Sequence, residues 1–271
     1  MRLIPADFSR RAAGALAVML AALAWAAAAP SRAADPGALW HIVHDLCVPN
    51  MRGAGDPSPC TAVDLAGGHA VLKDIHGATQ LLLIPTQRLP GIESPRLLAP
   101  GSPNYWQAAW AARGLLERRA GREVPRQDLG LAINSRYARS QNQLHIHIDC
   151  VRPDVQAALR ANAGRIGRGW TSLALGPRRY RARRLDGSEL GTRDPFKILA
   201  ASDPKARSDM GAWTLAVVGT VFPDRKPGFV LVADRAEPSE GDIGGAEELL
   251  DHDCAVLGPA RAAEARTQPR G

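Results

Sequence analysis

The chain has 271 residues, 45% of them hydrophobic, which is ample for a sizeable core. Its net charge of +7 falls to +4 once residues 1–34 are set aside, leaving 30 basic and 26 acidic groups. That is only mildly basic, and it argues against a nucleic-acid binder, in which charge is concentrated and interleaved with aromatics.

Residues 1–34 read as a leader. Arg2, Arg10 and Arg11 precede an apolar run from Ala12 to Ala29, followed by Ser31-Arg32-Ala33-Ala34, a small-residue site suited to cleavage after Ala33. The run is slightly long for a cleaved signal and slightly short for a membrane span, so a signal peptide and an uncleaved N-terminal anchor both stay open. Either way the body of the protein is expected to be exported.

Leu39, Ile42, Val43 and Leu46 have helical spacing, which predicts a helix over Ala38–Cys47. A Pro/Gly/Asn-rich loop, Pro49 to Pro59, follows. Ala70–Leu72 and Gln80–Pro85 predict two strands joined by a turn over 73–79. After a proline-rich loop to Pro103, Asn104–Arg118 reads as a helix with Pro103 at its start. Trp106 and Trp110, four apart on it, are expected in the core. Leu129–Ser135 and Gln143–Val151 predict the next strand pair, and Asp154–Asn162 a short helix. Thr171–Leu175, Tyr180–Leu185, Trp213–Val221 and Gly228–Ala233 are further strands. Ala246–Asp251 reads as a terminal helix and 258–271 as a disordered tail. Antiparallel strands with packed helices predict an α+β fold, with one domain over 35–257.

The chemistry is concentrated in Leu144-His145-Ile146-His147-Ile148-Asp149, where apolar and polar residues alternate with period two. On a half-buried strand this sets His145, His147 and Asp149 on one face and Ile146, Ile148 and Cys150 on the other. Two imidazoles and a carboxylate are a metal-ligand set as well as a catalytic one. His41, His44, His69, His76 and His252 read as surface or structural. In an exported chain the four cysteines favour disulfides. Three pairings are open, the simplest being a local Cys47–Cys60 bridge that leaves Cys150 with Cys254. The cluster Arg178-Arg179-Tyr180-Arg181-Ala182-Arg183-Arg184 suits either a charged strand edge or contact with an anionic membrane surface.

Asn134, Gln141 and the His145–Ile148 segment resemble the histidine-triad superfamily of nucleotide hydrolases and transferases. Its His-φ-His-φ-His-φ-φ motif follows a glutamine and, seven residues earlier, an asparagine. Leu72-Lys73-Asp74-Ile75 and Leu81–Pro85 resemble that group's nucleotide-pocket turn and following strand. Cys47-Val48-Pro49-Asn50, Ile92-Glu93-Ser94-Pro95, Ile133-Asn134-Ser135-Arg136-Tyr137 and Asp251-His252-Asp253-Cys254 extend the likeness, over most of the chain after the leader, to the CDP-diacylglycerol pyrophosphatase family. Two positions depart from the superfamily pattern: Asp149 stands for the third histidine, and Gln80 lies near where relatives place another.

The resemblance implies a histidine-triad-like antiparallel sheet extended by C-terminal strands. It also implies hydrolysis of CDP-diacylglycerol to CMP and phosphatidate on the periplasmic side of a bacterial inner membrane. His147 would be the nucleophile and His145 its orienting neighbour, with Asn134, Gln141 and Asn142 around the phosphates. Asp74 would accept the ribose hydroxyls, Lys73 would add positive charge, and Gln80 and Asp149 would complete the substrate site. No cofactor is expected, since protein donors can screen the phosphate charge. The alternatives are a periplasmic hydrolase of soluble nucleotide diphosphate compounds, or a metal-binding protein using His145, His147 and Asp149.

Overall fold

Period-two alternation across the middle of the chain builds one large antiparallel sheet, seen in a computed structural model that describes residues 35–258. Its strands are β1 (Ala62–Asp64), β2 (His69–Lys73), β3 (Leu81–Pro85), β4 (Leu129–Ile133), β5 (Ile146–Val151), β6 (Thr171–Leu175), β7 (Arg178–Asp186), β8 (Trp213–Val221), β9 (Pro227–Arg235) and β10 (Leu250–Asp251). The order is β1-β2-β3-β5-β4-β8-β9-β7-β6, with β10 paired to the end of β5. This is the predicted α+β architecture. The leader and the tail from 259 onward lie outside the described residues, and among those described no helix is long and apolar enough to cross a membrane.

The two faces of the sheet differ. One face carries a continuous core, where Leu81, Leu83, Leu131, Ile146, Ile148, Leu215 and Leu231 meet α2 (Tyr105–Ala111), α3 (Arg113–Ala120) and α6 (Pro195–Ser202). Trp106 and Trp110 are in this core, as their spacing predicts. Asn104 caps α2 by accepting the Gln107 N–H at 3.1 Å, and the predicted single helix breaks at Ala112.

The other face carries two separate clusters. At one end Leu39, Val43 and Val48 of α1 (residues 38–54) cover Leu72, Leu82 and Ile84. At the other, Val155 and Leu159 of α4 (Pro153–Asn162) cover Ala132, Val218 and Val232. His147 lies between them, opposite Leu82 on β3 and Ala132 on β4. The polar strip of β5 thus runs along the seam between two apolar clusters.

Four local expectations are corrected. α1 runs from Ala38–His41 through a π-helical stretch, Ile42–Cys47, into Val48–Ala54, so the first half of the expected loop is helical. Pro49 follows directly on the wide stretch, where the Val48 N–H reaches back to the Val43 carbonyl. The expected terminal helix is a 3₁₀ turn, Ala246–Leu249, followed by β10, because Leu250 and Asp251 pair with Val151 and Cys150. β7 is an inner strand between β9 and β6, not an edge. Its arginines are largely neutralised in place: Arg178 pairs with Asp242 and Glu248, Arg181 with Asp203, and Arg184 with Asp186 and Asp224. α5 (Glu189–Thr192), α6 and α7 (Pro204–Ser208), together with β1, have no counterpart in the sequence reading.

Both disulfides expected from the simplest pairing are present, Cys47–Cys60 and Cys150–Cys254. The second closes a sequence separation of 104 residues and fastens the C-terminal segment to β5.

Candidate active site

The turn after β2, the 134–141 loop after β4, the start of α1 and the C-terminal 3₁₀ turn surround a cavity of about 230 Å³ over the histidine strand. Leu39, Ile42, Leu72 and Leu82 form an apolar wall. Asp74, Asn134, Arg139, Gln141, His145, His147 and Glu247 form a polar one.

His147 is buried, and its Nε2 has no hydrogen-bond partner in the protein. Its Nδ1 lies 2.6 Å from the Gln80 amide nitrogen and 3.4 Å from Glu247 Oε1. Burial, seconded by His145, pushes the imidazole down to about 4, so it is uncharged at neutral pH. The His145 ring stands edge-on to it at 5.0 Å. His145 Nδ1 lies 2.7 Å from the Gln143 carbonyl, which can only accept, so Nδ1 carries the proton. Burial lowers this imidazole as well.

Glu247 is clamped at three points. Asn134 Nδ2 donates to Oε2 at 3.0 Å, Asn134 Oδ1 accepts the Glu247 N–H at 3.0 Å, and Gln80 Nε2 donates to Oε1 at 2.9 Å. Burial pulls the carboxyl upward, but His147, these amide donors and His252 outweigh it and leave Glu247 below the usual carboxylate range. Gln80 is fully buried beneath Glu247 and His147, with one amide N–H for each. In that orientation His147 accepts at Nδ1 and bears its proton on Nε2. Turning the amide over would place its oxygen, now without a partner, against an Nδ1–H.

The remaining sequence-predicted residues divide. Asn134 and Gln141 line the cavity, and Gln141 Oε1 accepts the Leu39 N–H at 3.1 Å. Asp74 also lines it, while its Oδ1 accepts the His76 N–H at 2.9 Å and so shapes the turn. Lys73 lines it too, but its ammonium donates to the carbonyls of Asp74, His76 and Gly77, tying down the turn instead of facing a phosphate. Asn142 is exposed and outside the cavity lining, and its N–H donates to the Pro36 carbonyl at 2.7 Å.

Asp149 is fully buried away from the cavity. Its Oδ1 accepts from Thr79 Oγ1 at 2.7 Å and from the Cys150 N–H at 2.9 Å, and its Oδ2 lies 2.9 Å from His252 Nδ1. The substrate-contact reading of Asp149 and the three-ligand metal reading are therefore not supported by its placement. Among the described residues the only close group of metal-ligand atoms is Asp149, Cys150 and Cys254, and its two sulfurs are bonded to each other.

Three residues escaped the sequence reading. Glu247 was hidden in an expected helix, and Arg139 in a loop. Arg139 lines the cavity and holds Glu93 in a two-point pair at 2.6 Å per bond. His252, read as surface or structural, sits 2.9 Å from Asp149 and 3.6 Å from Glu247. A signal was available for His252. A Cys150–Cys254 bridge necessarily brings residue 252 close to residue 149.

A crystal structure of a DUF4931 family protein from Bacillus cereus is similar over 77% of this chain and 100% of that one. The TM-score is 0.41 at 10% sequence identity. A CDP-diacylglycerol pyrophosphatase from Yersinia pestis is 42% identical over 228 residues, 83% of this chain and 87% of that protein. The sequence profile of the CDP-diacylglycerol pyrophosphatase family matches residues 34–258. The chain belongs to the CDP-diacylglycerol pyrophosphatase family of hydrolases.

Proposed function

We propose that the protein cleaves the pyrophosphate of CDP-diacylglycerol to CMP and phosphatidate through a nucleotidyl-His147 intermediate, at the periplasmic face of a bacterial inner membrane. The observation that carries this reading is His147 itself, an uncharged imidazole lining a cavity with Nε2 unpartnered. A neutral imidazole nitrogen is a competent nucleophile for phosphorus, and a covalent intermediate divides one hard displacement into two easier ones.

Attack requires the tautomer with the proton on Nδ1, the one the turned-over Gln80 amide accepts; Nε2 then attacks the phosphorus bearing cytidine, forming a P–N bond and breaking the P–O bond to phosphatidate, which leaves with the electron pair. The product imidazolium carries its proton on Nδ1. Glu247 Oε1, 3.4 Å away, is placed to offset that charge, and Gln80 can turn its amide oxygen toward the same proton. Water then attacks the same phosphorus, the P–N bond breaks toward His147, and CMP departs. His145, with its proton on Nδ1, can accept at Nε2 when neutral and donate to a phosphate oxygen only once protonated. Arg139 and the Asn134 and Gln141 amides supply polar groups on the same wall, and Asp74, which lines the same cavity, would accept the ribose hydroxyls. A cavity of about 230 Å³ suits a nucleotide headgroup and is too small to enclose two acyl chains as well. The histidine-triad likeness, with Asn134 and Gln141 upstream of the histidine strand, supports the same assignment.

The test is turnover of CDP-diacylglycerol in mixed micelles by wild type and His147→Ala, with CMP and phosphatidate both quantified. Quenching into alkaline denaturant, in which a phosphorus–nitrogen bond to histidine survives, with the cytidine-bearing phosphorus labelled should trap label on wild-type protein only. Equal turnover by a folded His147→Ala variant would refute the nucleophile. Preference for soluble CDP-alcohols would refute the lipid substrate.

A further inference from the structure

We propose that Asp149 and His252 form a positioning pair for the nucleophile: His252, seated on Asp149, holds a positive charge against Glu247 and so offsets part of that carboxylate's pull on a His147 proton. The inference rests on the reading of His147 as the nucleophile. It supplies a purpose for the carboxylate at the third position of the histidine strand, where the superfamily has an imidazole. Here the strand carries the acid, and an imidazole arrives from 103 residues downstream.

The geometry is specific. Asp149 is fully buried, and Thr79 and the Cys150 N–H fix one of its oxygens while the other meets His252 Nδ1 at 2.9 Å. The opposite ring nitrogen of His252 lies 3.6 Å from Glu247 Oε1, the same oxygen that lies 3.4 Å from His147 Nδ1. One carboxylate oxygen therefore stands between two imidazoles, one backed by a buried acid and one not. A buried carboxylate beneath His252 favours its cationic form, whereas His147 has no such support.

His252 is held in place from three sides. β10 pairs with β5 just before it, the Cys150–Cys254 disulfide follows two residues after it, and Ala78 N–H donates to its carbonyl at 3.3 Å. The turn makes room for it at Gly77, which has φ +62°; a Cβ there would lie 2.5 Å from His252 Cβ.

The charges around both rings fix the expected sign. His252 meets Asp149 and Glu247 directly and Asp74 at longer range, and the Asp149 hydrogen bond raises it above the ordinary imidazole value. Asp251 and Asp253 flank it on its own segment, where Asp251 accepts the N–H groups of Asp253 and Ala255. Across the turn, Arg119 is bonded to the Ala78 carbonyl and Lys73 to the turn carbonyls. His147 meets His145, Glu247, Asp74 and His252. Glu247 and Asp74 favour its protonated form, and His252 opposes them. Burial and His145 hold His147 down most strongly, and removing the His252 charge takes away one further opponent of the carboxylates, so His147 becomes easier to protonate.

The experiment follows the imidazole of His147 by ¹⁵N NMR in the full-length protein against pH, alongside the pH profile of kcat/KM. His252→Asn is expected to raise the His147 midpoint by up to about one pH unit, whereas Asp149→Asn, which leaves His252 cationic at the acid pH where His147 titrates, is expected to leave that midpoint level or lower and to bring the His252 midpoint down. The acid limb of the rate profile should move by the same amount as the His147 midpoint, with KM at neutral pH changed less than about threefold. An unmoved His147 midpoint in folded His252→Asn, or an unmoved His252 midpoint in folded Asp149→Asn, overturns the proposal, even if activity falls. If neither variant folds, wild type still decides. Its His147 signals should show a second inflection as His252 loses its proton, and a single smooth transition overturns the pair. Turnover by His147→Ala would instead remove the nucleophile, leaving the measured coupling between the two imidazoles intact.

Discussion

Replacing Glu247 by Gln deletes a negative charge 3.4 Å from His147 Nδ1 and leaves the shape of the site nearly unchanged. The Asn134 amide can still donate to the new side chain, and Asn134 can still accept the backbone N–H of residue 247. Two unit charges at this separation interact by about 5 kcal/mol at an effective dielectric of about 20. The Glu247 side chain is 29% exposed, so solvent screening reduces this to about 2–3 kcal/mol. His147 is neutral before attack and cationic after it, so the loss falls on the intermediate and the transition state leading to it, not on the free enzyme. We expect kcat to drop about 30- to 150-fold. KM should stay level or fall, because the same carboxylate repels the substrate's diphosphate before reaction. Steady-state assays in mixed micelles would measure both constants, and quenched-flow labelling would report the amount of nucleotidyl enzyme. The variant should also titrate His147 at lower pH, since a carboxylate that favoured its protonated form is gone. That shift is opposite in sign to the one expected from His252→Asn. A folded Glu247→Gln protein with kcat within threefold of wild type would refute the role of Glu247 as partner of the cationic intermediate.

Three other outcomes can be checked. With the His147 imidazole held near pH 4, kcat/KM in wild type should be flat through neutral pH and fall tenfold per unit below about 4, because protonation removes the attacking lone pair; a midpoint above 6 would contradict the burial argument. Removing the Cys150–Cys254 bridge, with its separation of 104, should cost about 4–5 kcal/mol in thermal unfolding and also depress kcat, whereas removing Cys47–Cys60, with a separation of 13, should cost about 3 kcal/mol. Asp234, pushed up to about 7 by burial and by the neighbouring Asp242, binds its proton more tightly folded than unfolded, so the fold loses stability as pH rises from about 4 to 7. Asp234→Asn should remove that slope and add about 1–2 kcal/mol at pH 7.5 in urea unfolding, after discounting for partial exposure and for Arg178.

What was legible in the sequence was whatever repeats locally. The alternation through His145–Asp149 set the correct face for each side chain, and β8 was read to its observed ends because its apolar run is unbroken. The helix at 105–120 was visible from its composition, though not its break at Ala112, where no proline or glycine signals it. α6 was missed because Pro195 and Phe196 look like loop residues until Asp194 is seen to cap the helix by accepting the Phe196 N–H. The site was half visible. Its histidines, Asn134 and Gln141 lie close together in sequence, whereas Glu247 and His252 reach it only through pairing of β10 with β5. Asp149 was on the correct face but was assigned the wrong neighbour, since a strand pattern tells which way a side chain points and not what stands opposite it. The arginines of β7 were read as free charge because their partners Asp203, Asp224 and Asp242 are distant in sequence.

The position of the Cys150–Cys254 bridge has a temporal consequence. Residues 247–254 are synthesised after all the other strands of the sheet, so a growing chain can present the nucleophile's strand and pocket turn long before it has Glu247 or His252. Even a finished chain lacks the covalent tie of that segment until both sulfurs are oxidised. An enzyme that destroys a membrane-lipid precursor is thus completed by residues made after the rest of its sheet and by the oxidation of two sulfurs. Nascent and reduced chains would pass the precursor pool as poor catalysts, and full activity would begin with oxidation.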